Sequence, residues 1–124
     1  MEDVGTGTTR KEAGLGLSIN VGARQGGGTV VTLLGELDIA SAPELRRTLE
    51  RAIDADGDVE LDMRACSFVD SVGIATLVTA ARQLSEQRRT LRLRGARERV
   101  RKILELAGLT SHKWVVFEPE GPAG

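Results

Sequence analysis

Asp70 and Ser71 stand side by side at the middle of the chain, inside Ser67-Phe68-Val69-Asp70-Ser71-Val72-Gly73-Ile74. The chemistry that this pair suggests is acceptance of a phosphate. Ile74, Leu77, Val78, Ala81 and Leu84 recur at helical spacing directly after it, so a helix begins just past Asp70-Ser71. Asp70 suits the N-cap, where a carboxylate accepts from amides that a first helical turn leaves unpaired. Ser71 then falls in the first turn, beside unpaired amides and the positive end of the helix dipole, where an added anion is tolerated. Gly73 lets another surface approach closely, at some cost in helix stability. Read from these residues alone, a capping serine without regulation is the plainer role for Ser71.

The other candidate groups lead away from catalysis. His112 is the single histidine and suits a surface or capping position. Cys66 is the single cysteine, so no internal disulfide forms, and no second histidine joins it in a metal site. It is expected to pack as a small hydrophobe at the end of a strand. No Gly-x-Ser-x-Gly elbow occurs. Gly26-Gly27-Gly28 lacks the lysine and the helix of a phosphate loop and reads as a turn. Asp38 and Asp70 offer two carboxylates, but nothing in the spacing places them together, and Asp38 also suits a loop or capping role. The chain is therefore read as no enzyme and as needing no cofactor.

The elements that must position Ser71 alternate in type. Leu15, Leu17, Ile19 and Val21 alternate as a strand, and Thr29–Leu34 forms a second that pairs with it as a hairpin. Gly35-Glu36-Leu37-Asp38 leaves that strand toward a helix. Ser41-Ala42-Pro43-Glu44 is a capping-box pattern, and Leu45, Leu49, Ala52 and Ile53 give the helix an apolar face. Val59–Met63 is a third strand, Thr90–Arg94 a fourth and Trp114–Phe117 a last. Val100, Ile103, Leu104 and Ala107 mark a third helix closed by Gly108. The expected fold is an α/β sandwich: a mixed, mostly parallel sheet of four to five strands covered by three to four helices. Residues 1–13 read as a flexible tail, 14–118 as one domain and 119–124 as a second tail.

Phe68-Val69-Asp70-Ser71-Val72-Gly73-Ile74 resembles the signature of the anti-sigma factor antagonists, the bacterial STAS-domain family. Gly35-Glu36-Leu37-Asp38 and Leu106-Ala107-Gly108-Leu109 extend the resemblance over roughly residues 15–118. Val72 departs from it, since serine, threonine or alanine is usual there. The resemblance implies the same sandwich, with the Asp38 and Asp70 loops on one face beside the phosphoacceptor. It places Ser71 on the phosphorylation position and Glu36, Asp38, Asp70, Ser71, Val72 and Gly73 on the partner-binding surface. The implied function is a phosphorylation-switched binding module. Its implied partners are an anti-sigma factor of the serine-kinase type, which supplies ATP and metal, and a phosphatase that resets the switch. The same family also includes accessory domains of membrane transporters and scaffold components of stress complexes.

Composition fits that reading. The chain has 124 residues, 40% hydrophobic and 28% charged, which suits one ordinary globular domain. Aromatic residues make up only 2%, too few for the exposed rings of a single-strand nucleic-acid platform. No apolar run reaches the roughly 20 residues of a membrane span. Met1-Glu2-Asp3 is no basic leader, and a lone cysteine fits a reducing compartment, so a cytoplasmic location is expected. Net charge is −1 but unevenly spread: Glu36–Asp62 is acidic and Arg82–Lys102 basic. Two solvated helical faces would explain this, as would a bipolar surface that orients a charged partner.

Overall fold

The computed structural model describes residues 9–12 and 16–119. Strands β1 (Thr9–Glu12), β2 (Leu17–Ala23) and β3 (Thr29–Leu37) form an antiparallel start. Helix α1 (Ala42–Asp54), strand β4 (Val59–Val69), helix α2 (Ser71–Glu86), strand β5 (Leu91–Arg94) and helix α3 (Glu98–Leu106) come next. A 3₁₀ turn (Leu109–Ser111) and strand β6 (Val115–Glu118) complete the described chain. The strands lie in sequence order, with β3 to β6 mutually parallel. Successive right-handed crossovers in one direction put all three helices on one face of the sheet.

The alternation of the strands explains this division. Ile19, Val31, Leu33, Val59, Leu61, Leu91 and Leu93 point into one core with Leu45 and Leu49 of α1, Leu77 and Leu84 of α2, and Leu104 of α3. The intervening residues Glu60, Asp62, Arg92 and Arg94 carry ion pairs instead. Glu60 holds Arg24 (3.2 Å) and Arg94 (3.3 Å), while Arg92 bridges Asp58 (3.1 Å) and Glu118 (2.6 Å). Glu60 is buried under Arg24 and Arg94, and Asp62 pairs with Arg64 at 2.6 Å, so both carboxylates are buried with arginine partners.

The sheet has six strands, one more than the sequence suggests. The extra strand, β1, occupies part of the stretch read as a tail. Residues 1–8, 13 and 120–124 of the two expected tails, and Leu15 of the expected first strand, lie outside the described residues. Two other boundaries moved. β3 runs on through Gly35, Glu36 and Leu37, which were expected to leave the sheet. β4 runs on to Val69, six residues past Met63. Register shifts between Thr32 and Leu34 and between Gly35 and Glu36 break the two-residue alternation, so from Met63 onward the buried residues of β4 fall at Met63, Cys66 and Val69. Gly35 sits at φ 120°, and a Cβ there would come within 1.7 Å of Gly16 O. α3 ends at Leu106, so Ala107 is its C-cap and is exposed, and Leu109 of the 3₁₀ turn is buried in the core instead.

Candidate functional site

The extended β3 and β4 end together, and the segments that leave them build the site. Asp70 N donates to Leu37 O at 3.0 Å, the last link between the two strands before α2 begins. Asp70 is the N-cap of α2, as its type and position require. Its Oδ1 accepts from Val72 N and Gly73 N, both at 2.9 Å. Its Oδ2 accepts from Ile39 N at 3.1 Å. One carboxylate thus fixes both the first turn of α2 and the loop between β3 and α1.

Asp38 organises that loop from the other side. Its Oδ1 accepts from Ala40 N (3.1 Å) and Ser41 N (3.2 Å), a local turn closed by an Asx side chain. Ser41 is fully buried, and its Oγ accepts from Asp38 N at 3.0 Å and lies 3.2 Å from Glu36 O. The expected capping box at Ser41 therefore does not form: the hydroxyl faces back into the loop, and Ser41 makes no side-chain cap bond to α1. Asp38 and Asp70 are brought to one pair of adjoining loops, yet each carboxylate holds backbone amides and neither pairs with the other.

Ser71 is exposed at the first position of α2. The amides of Val72 and Gly73, expected to be open to it, are already taken by Asp70. Val72, next to it, and Ile39, whose amide Asp70 holds, are exposed apolar residues, and Glu36 is exposed near the end of β3, opposite Phe68. Ile39 is 69% exposed and is the group that sequence reading missed. An isoleucine in a turn carries no local signal of its side chain's direction. Gly73 lies beneath Val72. It is buried, and a Cβ on it would meet Leu37 Cγ at 2.7 Å, so the close approach it permits is that of α2 to the end of β3.

The remaining candidates are accounted for without chemistry. Cys66 is buried, and burial pushes its thiol above the ordinary value, so it stays neutral and unreactive. His112 ends the 3₁₀ turn. The triple glycine is a turn, with Gly27 N donating to Arg24 O at 2.9 Å. Among the described residues no cluster could hold a metal ion, and no helix is long and apolar enough to cross a membrane.

A family model described as "Mlab, STAS domain" matches residues 22–116. The chain belongs to the STAS-domain family. Two relatives extend the picture. The anti-sigma-B factor antagonist of Bacillus subtilis (strain 168) is 29% identical over 94 residues, covering 75% of this chain and 86% of that protein. The anti-sigma-B factor antagonist of Listeria monocytogenes is 28% identical over 97 residues, covering 77% and 85%. Among solved structures, unphosphorylated SpoIIAA, an anti-sigma factor antagonist, gives a TM-score of 0.67 at 19% identity over 85% of this chain and 90% of that one. An anti-sigma factor antagonist from Mycobacterium paratuberculosis gives 0.70 at 24% over 81% and 85%. The murine Solute Carrier 26 family member A9 anion transporter gives 0.61 at 20%, over 75% of this chain and 16% of the transporter. These structural likenesses establish the STAS fold.

Proposed function

We propose that this STAS domain is an anti-sigma factor antagonist whose binding is switched by phosphorylation of Ser71. Unmodified, it binds an anti-sigma factor of the serine-kinase type and frees a sigma factor. That partner phosphorylates Ser71 and is released, and a phosphatase restores the binding form. Glu36, Asp38, Asp70, Val72 and Gly73 complete the docking region around the serine, Asp38 and Asp70 by holding its two loops in place and Gly73 by letting α2 pack close to the end of β3.

The observation that supports this most is the position of Ser71. It is exposed at the start of α2, on a turn already fixed by Asp70, so a kinase can reach the hydroxyl without unfolding anything. The named relatives are anti-sigma-B factor antagonists. A phosphoserine carries about −1.5 to −2 charges. Desolvating it in an interface without a counter-charge costs several kcal/mol, and a loss of about 3–4 kcal/mol weakens binding by two to three decades.

The test uses the purified chain, an anti-sigma serine kinase, ATP and magnesium. Mass mapping should place one phosphate on Ser71, and the phosphorylated form should bind the kinase at least about a hundredfold more weakly. A phosphate mapped elsewhere, or equal affinity of the two forms, sinks the proposal. Affinity capture from native cells separates it from a transporter-accessory role, since it should recover a small ATP-binding kinase and no transporter.

A further inference from the structure

A second feature lies apart from Ser71. Beyond the ends of β5 and β6, beside the start of α3, is a cleft of about 490 Å³. Its walls carry Arg64 from β4, Arg97 and Arg101 from the beginning of α3, and the ring of Phe117 from β6. Crevices outside the carboxyl ends of strands are where open α/β sheets take ligands, and this volume suits a small organic molecule.

The three guanidinium groups are held differently. Arg64 is paired with Asp62 at 2.6 Å, and Arg101 with Glu105 at 2.8 Å. Arg101 also lies over the Phe117 ring, 5.1 Å from its centroid, which holds the flat guanidinium against the wall. Arg97 Nε donates to Arg64 O at 3.1 Å, which anchors that edge of its guanidinium. Among the described residues Arg97 has no ion-pair partner. Two carboxylates also line the cleft. Glu118 is already paired with Arg92 at 2.6 Å, and Glu98 opposes one of the three arginines. The lining itself carries a single positive charge in excess, three guanidinium groups against two carboxylates, while Asp62, Glu105 and Arg92 pair with it from outside. The first turn of α3 adds to that excess, because its N-cap is Arg97, which makes no side-chain bond to the opening amides.

We propose that this cleft binds a small phosphate monoester. The phosphate would lie against Arg97 and the adjoining guanidinium groups, and the organic part along Phe117 and Arg101. Guanidinium forks match phosphate oxygens in geometry as well as charge, and the volume leaves room for more than the phosphate itself. The site is independent of Ser71 and of the antagonist reading.

The experiment titrates the ¹⁵N-labelled Ser71→Ala chain with phenyl phosphate, inorganic phosphate and benzoate at constant ionic strength. Phenyl phosphate should give saturable amide shifts confined to Arg64 and residues 94–102 and 117–118, and should bind more tightly than either other probe. Arg97→Gln should weaken phenyl phosphate about tenfold while the remaining spectrum stays unchanged. Arg101→Gln should weaken it too, and Arg46→Gln on α1 should not. Shifts that never saturate overturn the proposal. So do shifts at every exposed arginine, or equal affinity in Arg97→Gln.

Discussion

The carboxylate of Asp70 reaches the backbone amide of Ile39, 31 residues earlier in the chain, with Oδ2 at 3.1 Å. Its other oxygen holds Val72 N and Gly73 N. A residue that looks like a helix cap is therefore also the clasp between two loops, and this shapes how Ser71 is presented.

Asp70→Ala should leave three amides without their acceptor. Losing a cap costs about 0.5–2 kcal/mol, and an unsatisfied polar group about 1–3 where water cannot replace the partner. Ile39 and Val72 are exposed, so the expected loss is about 1–2 kcal/mol, read from the urea midpoint at unchanged slope. Amide exchange at Ile39 should accelerate along with that at Val72. If only the helical amides respond, the clasp does not contribute.

Phosphorylation of Ser71 should act locally. The nearby amides are already held by Asp70, so the new charge meets a carboxylate with little to offset it, and two solvated charges at this range repel by about 1 kcal/mol. The phosphorylated domain should melt slightly earlier than the unmodified one, and added salt should narrow the gap. Amide shifts should stay within residues 36–40 and 67–77. Changes spreading through α3 and β6 would instead mean a conformational switch. Ser71→Ala should alter stability by under about 0.5 kcal/mol, being an exposed site.

Gly73→Ala should destabilise although alanine is the better helix former. Propensity favours it by about 1 kcal/mol, but its Cβ would meet Leu37 Cγ at 2.7 Å and Leu37 O at 3.2 Å. Overpacking of this kind costs about 1–3 kcal/mol. In a Leu37→Ala background the same substitution should cost less, and a double-mutant cycle in denaturant measures the coupling. Additive losses would place the clash elsewhere.

Stability should fall at acid pH through Asp62 and Asp58. Burial alone would raise both carboxyls, but the Arg64 hydrogen bonds and charge hold Asp62 below its ordinary value, and Thr90 and Arg92 do the same for Asp58. A carboxyl lowered in the folded state contributes stability above its unfolded value, and that contribution is lost as pH falls through the folded one. The loss should begin below about pH 4. Asp62→Asn should flatten the fall below pH 4, as followed by urea denaturation at each pH. An unchanged slope would remove Asp62 from the account.

Local chemistry alone accounts for much of this domain. Asp70 caps and Ser71 opens α2 because a carboxylate before an apolar helical repeat has few other stable uses. Leu45, Leu49, Ala52 and Ile53 face the core because the helical period admits one apolar side. The alternation of Leu17 and Ile19, and of Leu91 and Leu93, likewise gave away the strands. Other features depend on distant neighbours and were settled only by folding. Whether β4 stops at Met63 or runs to Val69 turns on bulges opposite β3, which replace alternation by the spacing Met63, Cys66, Val69. Ser41 carries a capping-box pattern, yet its hydroxyl is claimed by Asp38 and the Glu36 carbonyl. Arg89 has no pattern at all, and it closes the end of α1 by donating to Ile53 O (2.6 Å), Ala55 O (2.6 Å) and Gly57 O (2.8 Å). A long side chain chooses partners more than thirty residues away, and no local spacing records that choice. The same holds for Asp70 and Ile39: the cap was legible because its amides are adjacent in sequence, and the clasp was not because its amide arrives only when β3 and β4 are paired.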